Sequence, residues 1–326
     1  MKVLITGGSG FIGSHLLERL LNHKYRIKCL VRENSDLRWI KNLPVEFVYG
    51  DVCDFNSLLP IVQNVDYIYH LGGILRTNTE SEYFHVNYKG TKNLLTACSQ
   101  LNSNLKRFIY ISSQAAAGPS GDGIPLTEND PPQPISCYGK SKQLAELAVL
   151  KFQKIFPVTI IRPPVVYGPR DDDTLVVFKY IKFGIKPLIG NQEKIISLIH
   201  VHDLVRAIQI AAEHQNATNE IFFIANKKGY SWSEVIDAIA QVMDKKALTI
   251  RFPEFVLDLA ASLNEQVANI FRGAAIINRD KAVEMKQSYW LVDASKAEQK
   301  LGFVPEILLE KGLKETFNWY RLQGWL

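Results

Sequence analysis

The chain has 326 residues, 47% apolar and 22% charged, with 20 glycines and 14 prolines. That composition can bury a sizeable core, which excludes a disordered chain, and the length suits two domains or one large α/β unit with an appendage. Lysine and arginine exceed aspartate and glutamate by five (38 − 33), spread without a basic tail or arm, so no nucleic-acid partner is expected.

No apolar run approaches the roughly 18 residues of a membrane span, and the first residues lead straight into glycines instead of a signal-peptide core. Cys29, Cys53, Cys98 and Cys137 stand far apart, without paired ligand spacing. The expectation is a reduced, soluble, cytoplasmic protein with no membrane partner.

Short apolar runs at 2–6, 26–31, 45–49, 67–70, 107–112 and 158–162 alternate with helical stretches, among them 11–22 and 138–154. Such runs are apolar on both faces, as strands buried between two helix layers must be. Phe84, Tyr88, Thr91, Leu95 and Cys98 recur at spacings of four and three, one face of a further helix. After Arg162 the prolines 163, 164 and 169 mark irregular chain, and the acidic run 171–173 reads as a solvated loop. A strand and helix follow at 195–201 and 203–212, then a strand at 221–225, and from Ser231 the pattern is mostly helical. The fold class is α/β: a doubly wound parallel sheet with a smaller, mostly helical substrate part. Residues 1–163 form the dinucleotide-binding domain, with 195–228 returning to it, and 164–194 and 229–326 form the substrate-binding part.

Between the first strand and first helix lies Gly7-Gly8-Ser9-Gly10-Phe11-Ile12-Gly13. Glycines let the backbone turn tightly and approach a pyrophosphate seated on helix amides. Two spacings fit, one from Gly8 and one from Gly7, both through Gly10 to Gly13. At the end of the second strand, where an NAD site places a carboxylate for the ribose 2′-hydroxyl, stands Arg32. A guanidinium grips a 2′-phosphate, which predicts NADP, with NAD as the weaker alternative.

Tyr138 and Lys142 are four apart at the start of a helix and share a face, whereas Lys140 points elsewhere. A phenol titrating near 10 is a poor proton shuttle at pH 7, and lowering it by about three units takes roughly 4 kcal/mol. A neighbouring ammonium and a cationic nicotinamide could supply it.

With these residues in view, the sequence resembles the extended short-chain dehydrogenase/reductases, the NAD-dependent epimerase/dehydratase family, over nearly its whole length. The marks are the glycine loop from Thr6, Gly50-Asp51-Val52, His70-Leu71-Gly72-Gly73, Val86-Asn87-Tyr88-Lys89-Gly90-Thr91 and Ile111-Ser112-Ser113. Further on come Tyr138-x-x-x-Lys142, Arg162-Pro163-Pro164-Val165, Ile199-His200-Val201-His202-Asp203, Leu301-Gly302-Phe303-Val304-Pro305 and Glu310-x-Gly312-Leu313. The resemblance implies Tyr138 as acid/base, Lys142 on the nicotinamide ribose and lowering the phenol's pKa, and Ser113 on the reacting oxygen. It implies that Gly7, Gly10, Phe11, Ile12, Gly13 and Arg32 hold the dinucleotide. Asp51 and Val52 would touch the adenine, Leu71, Gly72 and Gly73 line the groove, and Pro163 and Val165 lie beside the nicotinamide. Asn87 would be a buried polar group ordering the helix, and a homodimer is implied. His200 and His202, two apart on an expected strand, face one side; packing is favoured over a metal because no third ligand is evident.

Two substrate classes remain open. Nucleotide-sugar members of the family carry an arginine three residues before the isoleucine of Ile-His-Val, and here that position is Ile196. Lys194 or Arg170 could substitute, though neither stands in the family's place, and Val165 replaces the asparagine of many sugar epimerases. In 253–271, Val256, Leu259, Leu263, Val267 and Ile270 form an apolar helical stripe, either packed on its own domain or capping an apolar pocket. The C-terminal region is similar to the dihydroflavonol-reductase and 3β-hydroxysteroid-dehydrogenase branches. The reading is an NADP(H)-dependent oxidoreductase interconverting a ketone and a secondary alcohol on a largely apolar small molecule. The alternatives are a nucleotide-sugar epimerase or dehydratase with tightly held cofactor, and a cofactor-sensing protein without catalysis.

Overall fold

Along each central strand, successive side chains alternate between two dry faces. Val3 and Ile5 pack with Leu16, Leu17, Leu204 and Ile208 on one side, and Leu4 packs with Leu94, Leu95 and Val149 on the other. The structure, a computed structural model, describes residues 1–77, 79–271 and 278–326, and for 263 and 265–271 the backbone alone.

The chain begins β1 (Lys2–Thr6), α1 (Phe11–Asn22), β2 (Arg26–Val31), β3 (Glu46–Tyr49), α2 (Phe55–Leu58), β4 (Tyr67–His70) and α3 (Glu80–Tyr83). A π-helical stretch, Phe84–Gly90, leads into α4 (Thr91–Leu101), β5 (Arg107–Ile111), α5 (Cys137–Lys151), β6 (Val158–Arg162) and β7 (Val165–Tyr167). Next come α6 (Asp172–Lys182), β8 (Ile185–Ile189), β9 (Ile195–Ile196), β10 (Leu198–His200), α7 (Val201–Glu213), β11 (Glu220–Phe223), β12 (Tyr230–Ser231) and α8 (Trp232–Val242). The chain finishes with β13 (Leu248–Phe252), α9 (Phe255–Phe271), α10 (Arg279–Lys286), β14 (Tyr289–Trp290), α11 (Ser295–Leu301) and α12 (Leu309–Leu322).

Seven strands form one parallel sheet in the order β11-β6-β5-β4-β1-β2-β3. Order reverses between β1 and β4, and at such a switch point the strand ends open a crevice. α1 and α7 cover one face, α4 and α5 the other. The C-terminal part has its own core around Phe178, Ile181, Ile239, Leu313 and Tyr320. It carries small sheets, β12-β9-β14 and β13-β8, as well as helices. Among the described residues no helix is long and apolar enough to cross a membrane.

Four expectations shift. The run 195–201 divides at Ser197, because β9 pairs with β12 and β14 while β10 pairs with β7. The acidic run 171–173 is no solvated loop: Asp171 is buried and caps α6, accepting from the amides of Asp173 and Thr174. The helix expected over 84–98 starts with a π-helical turn, which rotates its face. Asn87 is therefore buried there, while Phe84 and Tyr88 are only half-buried. On α9 the buried side chains are Leu257 and Ala261, packed on Ala282, whereas Leu259 is 56% exposed. The side chains of Leu263, Val267 and Ile270 lie outside the described residues.

Candidate active site

The loop after β1 and the loop after β4 meet at the switch point. Gly7 has φ of +74°, and a Cβ on it would lie 2.7 Å from the Leu71 carbonyl carbon and the Gly72 nitrogen. A Cβ on Gly13 would collide with the Gly7 carbonyl oxygen. These two positions admit only glycine, and Gly10 sits at the N-cap of α1 with no side chain capping the helix. Phe11 and Ile12 open that helix, so its first-turn amides face the crevice. The cradle fits a dinucleotide pyrophosphate.

Arg32 stands exposed directly after β2, its backbone N–H donating to Ser35 Oγ at 2.9 Å. Asp51 follows the end of β3, with Oδ1 accepting from the Cys53 amide at 2.8 Å. Val52 packs beneath Gly90, where a Cβ would approach its Cγ2 to 2.8 Å. Leu71 donates its N–H to the Thr6 carbonyl, and a Cβ on Gly73 would meet Asn87 Oδ1 at 2.9 Å. Pro163 accepts from the Gln114 amide, and Val165 opens β7 with its side chain 45% exposed.

Ser113 and Tyr138 are brought together, hydroxyl to phenol. Ser113 Oγ also accepts from the Ala115 amide at 3.1 Å. Lys142, one turn along α5 and buried, donates from Nζ to the Ile111 carbonyl at 2.7 Å, with Nζ 4.4 Å from the Tyr110 ring centre. Burial lowers the Lys142 ammonium to about 7, the Glu146 carboxylate opposing. The phenol departs from expectation. Burial pushes Tyr138 above its ordinary value, the Ser113 bond works against this, and Glu284 and Tyr83 add to the rise. A dry pocket penalises phenolate.

A chain of hydrogen bonds fixes the groove floor. Thr91 Oγ1 donates to the Asn87 carbonyl and accepts from His70 Nε2, and His70 Nδ1 accepts from Thr6 Oγ1 at 2.6 Å. Thr6 Oγ1 in turn accepts from the Gly72 amide. Asn87 bonds both polar groups of the Ile74 backbone and donates to Ser141 Oγ at 3.0 Å, tying the loop after β4 to α5.

Three groups escaped the sequence reading. Glu146 takes a buried bidentate pair from Arg162, at 2.9 and 2.6 Å, binding α5 to β6. Its position four residues after Lys142 was the available signal. Asp280 and Glu284 of α10 reach the start of α5: Asp280 accepts from the Cys137 and Tyr138 amides, and Glu284 accepts from Ser136 Oγ. No local pattern announces a contact over more than 140 residues.

His200 and His202 do not share a strand. His200 ends β10 and caps α7 by accepting from the His202 amide, and His202 lies in the first turn of that helix. A third potential ligand does exist: Glu315 of α12 meets His202 Nδ1 at 3.1 Å, and the three ligand atoms lie within 4.8 Å of one another. Those hydrogen bonds already give His202 and Glu315 partners. Ile196 is buried in the C-terminal core. Lys194 donates to the Lys286 carbonyl and lies 3.5 Å from Glu254, and Arg170 binds Glu18 and stacks on Trp39.

Comparison with known proteins gives the family. The chain is 28% identical over 327 residues to a ceramide reductase of Caulobacter vibrioides, covering 99% of this chain and 96% of that protein. It is 28% identical over 328 residues to a UDP-glucose 4-epimerase of Vibrio cholerae, covering 97% and 94%. Its fold matches a UDP-glucose 4-epimerase from Thermotoga maritima with a TM-score of 0.83 at 24% identity, over 99% of both chains. A family model described as "NAD dependent epimerase/dehydratase family" matches residues 3–225. The protein therefore belongs to the NAD-dependent epimerase/dehydratase family and is an enzyme of the extended short-chain dehydrogenase/reductase type.

Proposed function

We propose that this enzyme is an NADP(H)-dependent oxidoreductase interconverting a ketone and a secondary alcohol on a largely apolar small molecule. The observation that carries the substrate class is the region around Ile196. An aliphatic side chain buried in β9 cannot hold a diphosphate, and the two cations named as substitutes, Lys194 and Arg170, are engaged by their own chain. The cofactor preference rests on Arg32 beside Ser35 at the end of β2, where a 2′-phosphate would find a guanidinium and a hydroxyl.

In this reading Gly7, Gly10 and Gly13, with Phe11 and Ile12, hold the pyrophosphate. Asp51 and Val52 bound the adenine site, Leu71, Gly72 and Gly73 line the groove, and Pro163 and Val165 flank the nicotinamide. Asn87 keeps α5 in register with the groove. A nicotinamide held there would supply hydride transfer to or from the carbon that carries the reacting oxygen. Ser113 donates a hydrogen bond to the reacting oxygen, and Tyr138 gives or takes its proton. Lys142, held against the Ile111 carbonyl, places positive charge beside the phenol and orients the ribose.

Four unpaired cysteines suit a reducing, cytoplasmic setting. Leu144 and Leu147, exposed on α5, suit a homodimer contact.

The test is calorimetry on NADP-saturated protein titrated with UDP, TDP and GDP, with no heat expected. Micromolar binding would overturn the apolar reading. It would favour the nucleotide-sugar alternative, which the Vibrio cholerae relative keeps in view.

A further inference from the structure

The C-terminal part carries an exposed apolar tip that its own core does not use. Val176, Tyr180 and Phe183 follow one another at spacings of four and three along the outer side of α6, and Phe183 is 79% exposed. Gly184, at φ of +80°, turns the chain into β8 and accepts the Leu248 N–H at 2.9 Å. That bond sets the backbone of Leu248, 78% exposed, beside Gly184, the residue after Phe183, with Ile250 two residues further on the same side of β13. Large side chains at this exposure, clustered on a turn and a strand, are a contact surface and not scattered surface apolars.

The charge nearest Phe183 and Leu248 is mainly positive. Lys179 and Lys182 flank Tyr180 and Phe183, and Lys245 and Lys246 lead into Leu248, all four exposed. Among the described residues none of the four ammonium groups has a carboxylate partner. Asp244 is the single acidic residue of the segment 243–252.

We infer that this tip docks on the surface of an anionic bilayer, with Phe183 and Leu248 entering the interface and the four lysines reading lipid phosphates. A ring of like charges disfavours a second copy, since a two-fold contact would set lysine against lysine. It favours a negatively charged sheet, toward which each lysine contributes about fivefold in partition and apolar side chains insert between headgroups. The sequence lacks an apolar run long enough to span a bilayer, but a surface contact needs none: its lysines stand on α6 and on the approach to β13.

The docking surface connects to the chemistry along the chain. β13 runs into α9, where Phe255 and Leu259 are exposed, and α9 precedes α10, whose Asp280 holds the first turn of the Tyr138 helix. A bilayer-dissolved substrate would thus be met on the segment that leads to the catalytic helix. This connection rests on the apolar-substrate reading; the docking itself does not.

The experiment is vesicle flotation of the full chain, with phosphatidylcholine alone and with added phosphatidylglycerol. Binding is expected on the anionic vesicles at low salt, falling with added salt. Two double variants, Phe183→Ser with Leu248→Ser and Lys182→Glu with Lys245→Glu, should each lower partition by about tenfold or more. Both should melt within a few degrees of the parent and keep turnover on a water-soluble ketone. No binding by the parent overturns the inference, as does binding that neither variant weakens. Sedimentation showing that the apolar variant splits a dimer, with no vesicle binding, assigns the tip to a second copy and also overturns it. Vesicle binding by a parent that reduces no ketone would sustain the docking surface while sinking the proposed reaction.

Discussion

Asp280 accepts the backbone N–H of Tyr138 at 3.0 Å and that of Cys137 at 2.6 Å, so a carboxylate from the C-terminal part caps the helix that carries the phenol. A negative charge at a helix start also suits the helix dipole. Asp280→Ala should cost about 1 kcal/mol of stability. Misplacing the phenol should lower kcat by about tenfold or more. Cofactor Kd should move far less than kcat, because the pyrophosphate is held by the glycine loop at the start of α1; stopped-flow turnover and cofactor titration on the same variant check both halves.

Tyr138→Phe removes the proton that Ser113 and Tyr138 handle together while leaving the ring's contact with Tyr83. Turnover should fall by about two to four orders of magnitude. Binding of NADP, measured by fluorescence titration, should stay near the parent value. Substantial residual turnover would remove Tyr138 from the acid/base role.

Arg32→Ala should weaken NADP binding by about ten- to hundredfold, the worth of a charge-assisted bond to phosphate, with NAD binding unaffected. Paired titrations with the two cofactors decide it. Equal loss for both would place Arg32 outside the 2′-phosphate site.

Glu146→Ala leaves the Arg162 guanidinium buried and unpaired, which should cost about 3–5 kcal/mol. It also removes the carboxylate that opposes the lowering of Lys142, so the ammonium should titrate lower still. Urea denaturation reports the first effect, and an alkaline limb of the pH–rate profile moved to lower pH reports the second.

Burial holds His15 and His70 down to about 3 and His200 to about 4. Unfolded, each would bind a proton near its ordinary 6.5. Between those values the unfolded chain holds more protons. The stability they confer is therefore complete above 6.5 and is lost as pH falls toward 4. Urea midpoints measured from pH 7 to 4 should fall accordingly. His15→Gln, which keeps a donor for the Pro169 carbonyl, should remove about one proton from that slope.

Elements whose cause is local were legible from residues. The strands 2–6, 26–31, 67–70 and 158–162 were placed to the residue, because a buried parallel strand is a short, mostly apolar run between breakers. The glycine loop was legible because its conformation excludes side chains. What the sequence hid depends on distant partners. Asp171 looked like part of a charged surface run, yet Thr174 and the α6 amides take it into the interior, and Tyr320 Oη donates to its carbonyl. On α9 the periodicity was visible, but which side is buried depends on Ala282 of a helix no local rule joins to it. The π-helical turn at 84–90 shifts a face by one residue, and nothing in the spacing of Phe84 and Tyr88 signals it.

The cap supplied by Asp280 also imposes an order on biosynthesis. At about 5–20 residues per second, a ribosome needs roughly 7–30 s after adding Tyr138 to add a residue 142 positions later. During that interval the nascent sheet can already close around its glycine loop, while the helix start bearing the phenol waits for its carboxylate. Dinucleotide capture and competence for proton transfer thus mature at different moments in the life of one polypeptide, the second only once α10 has been made.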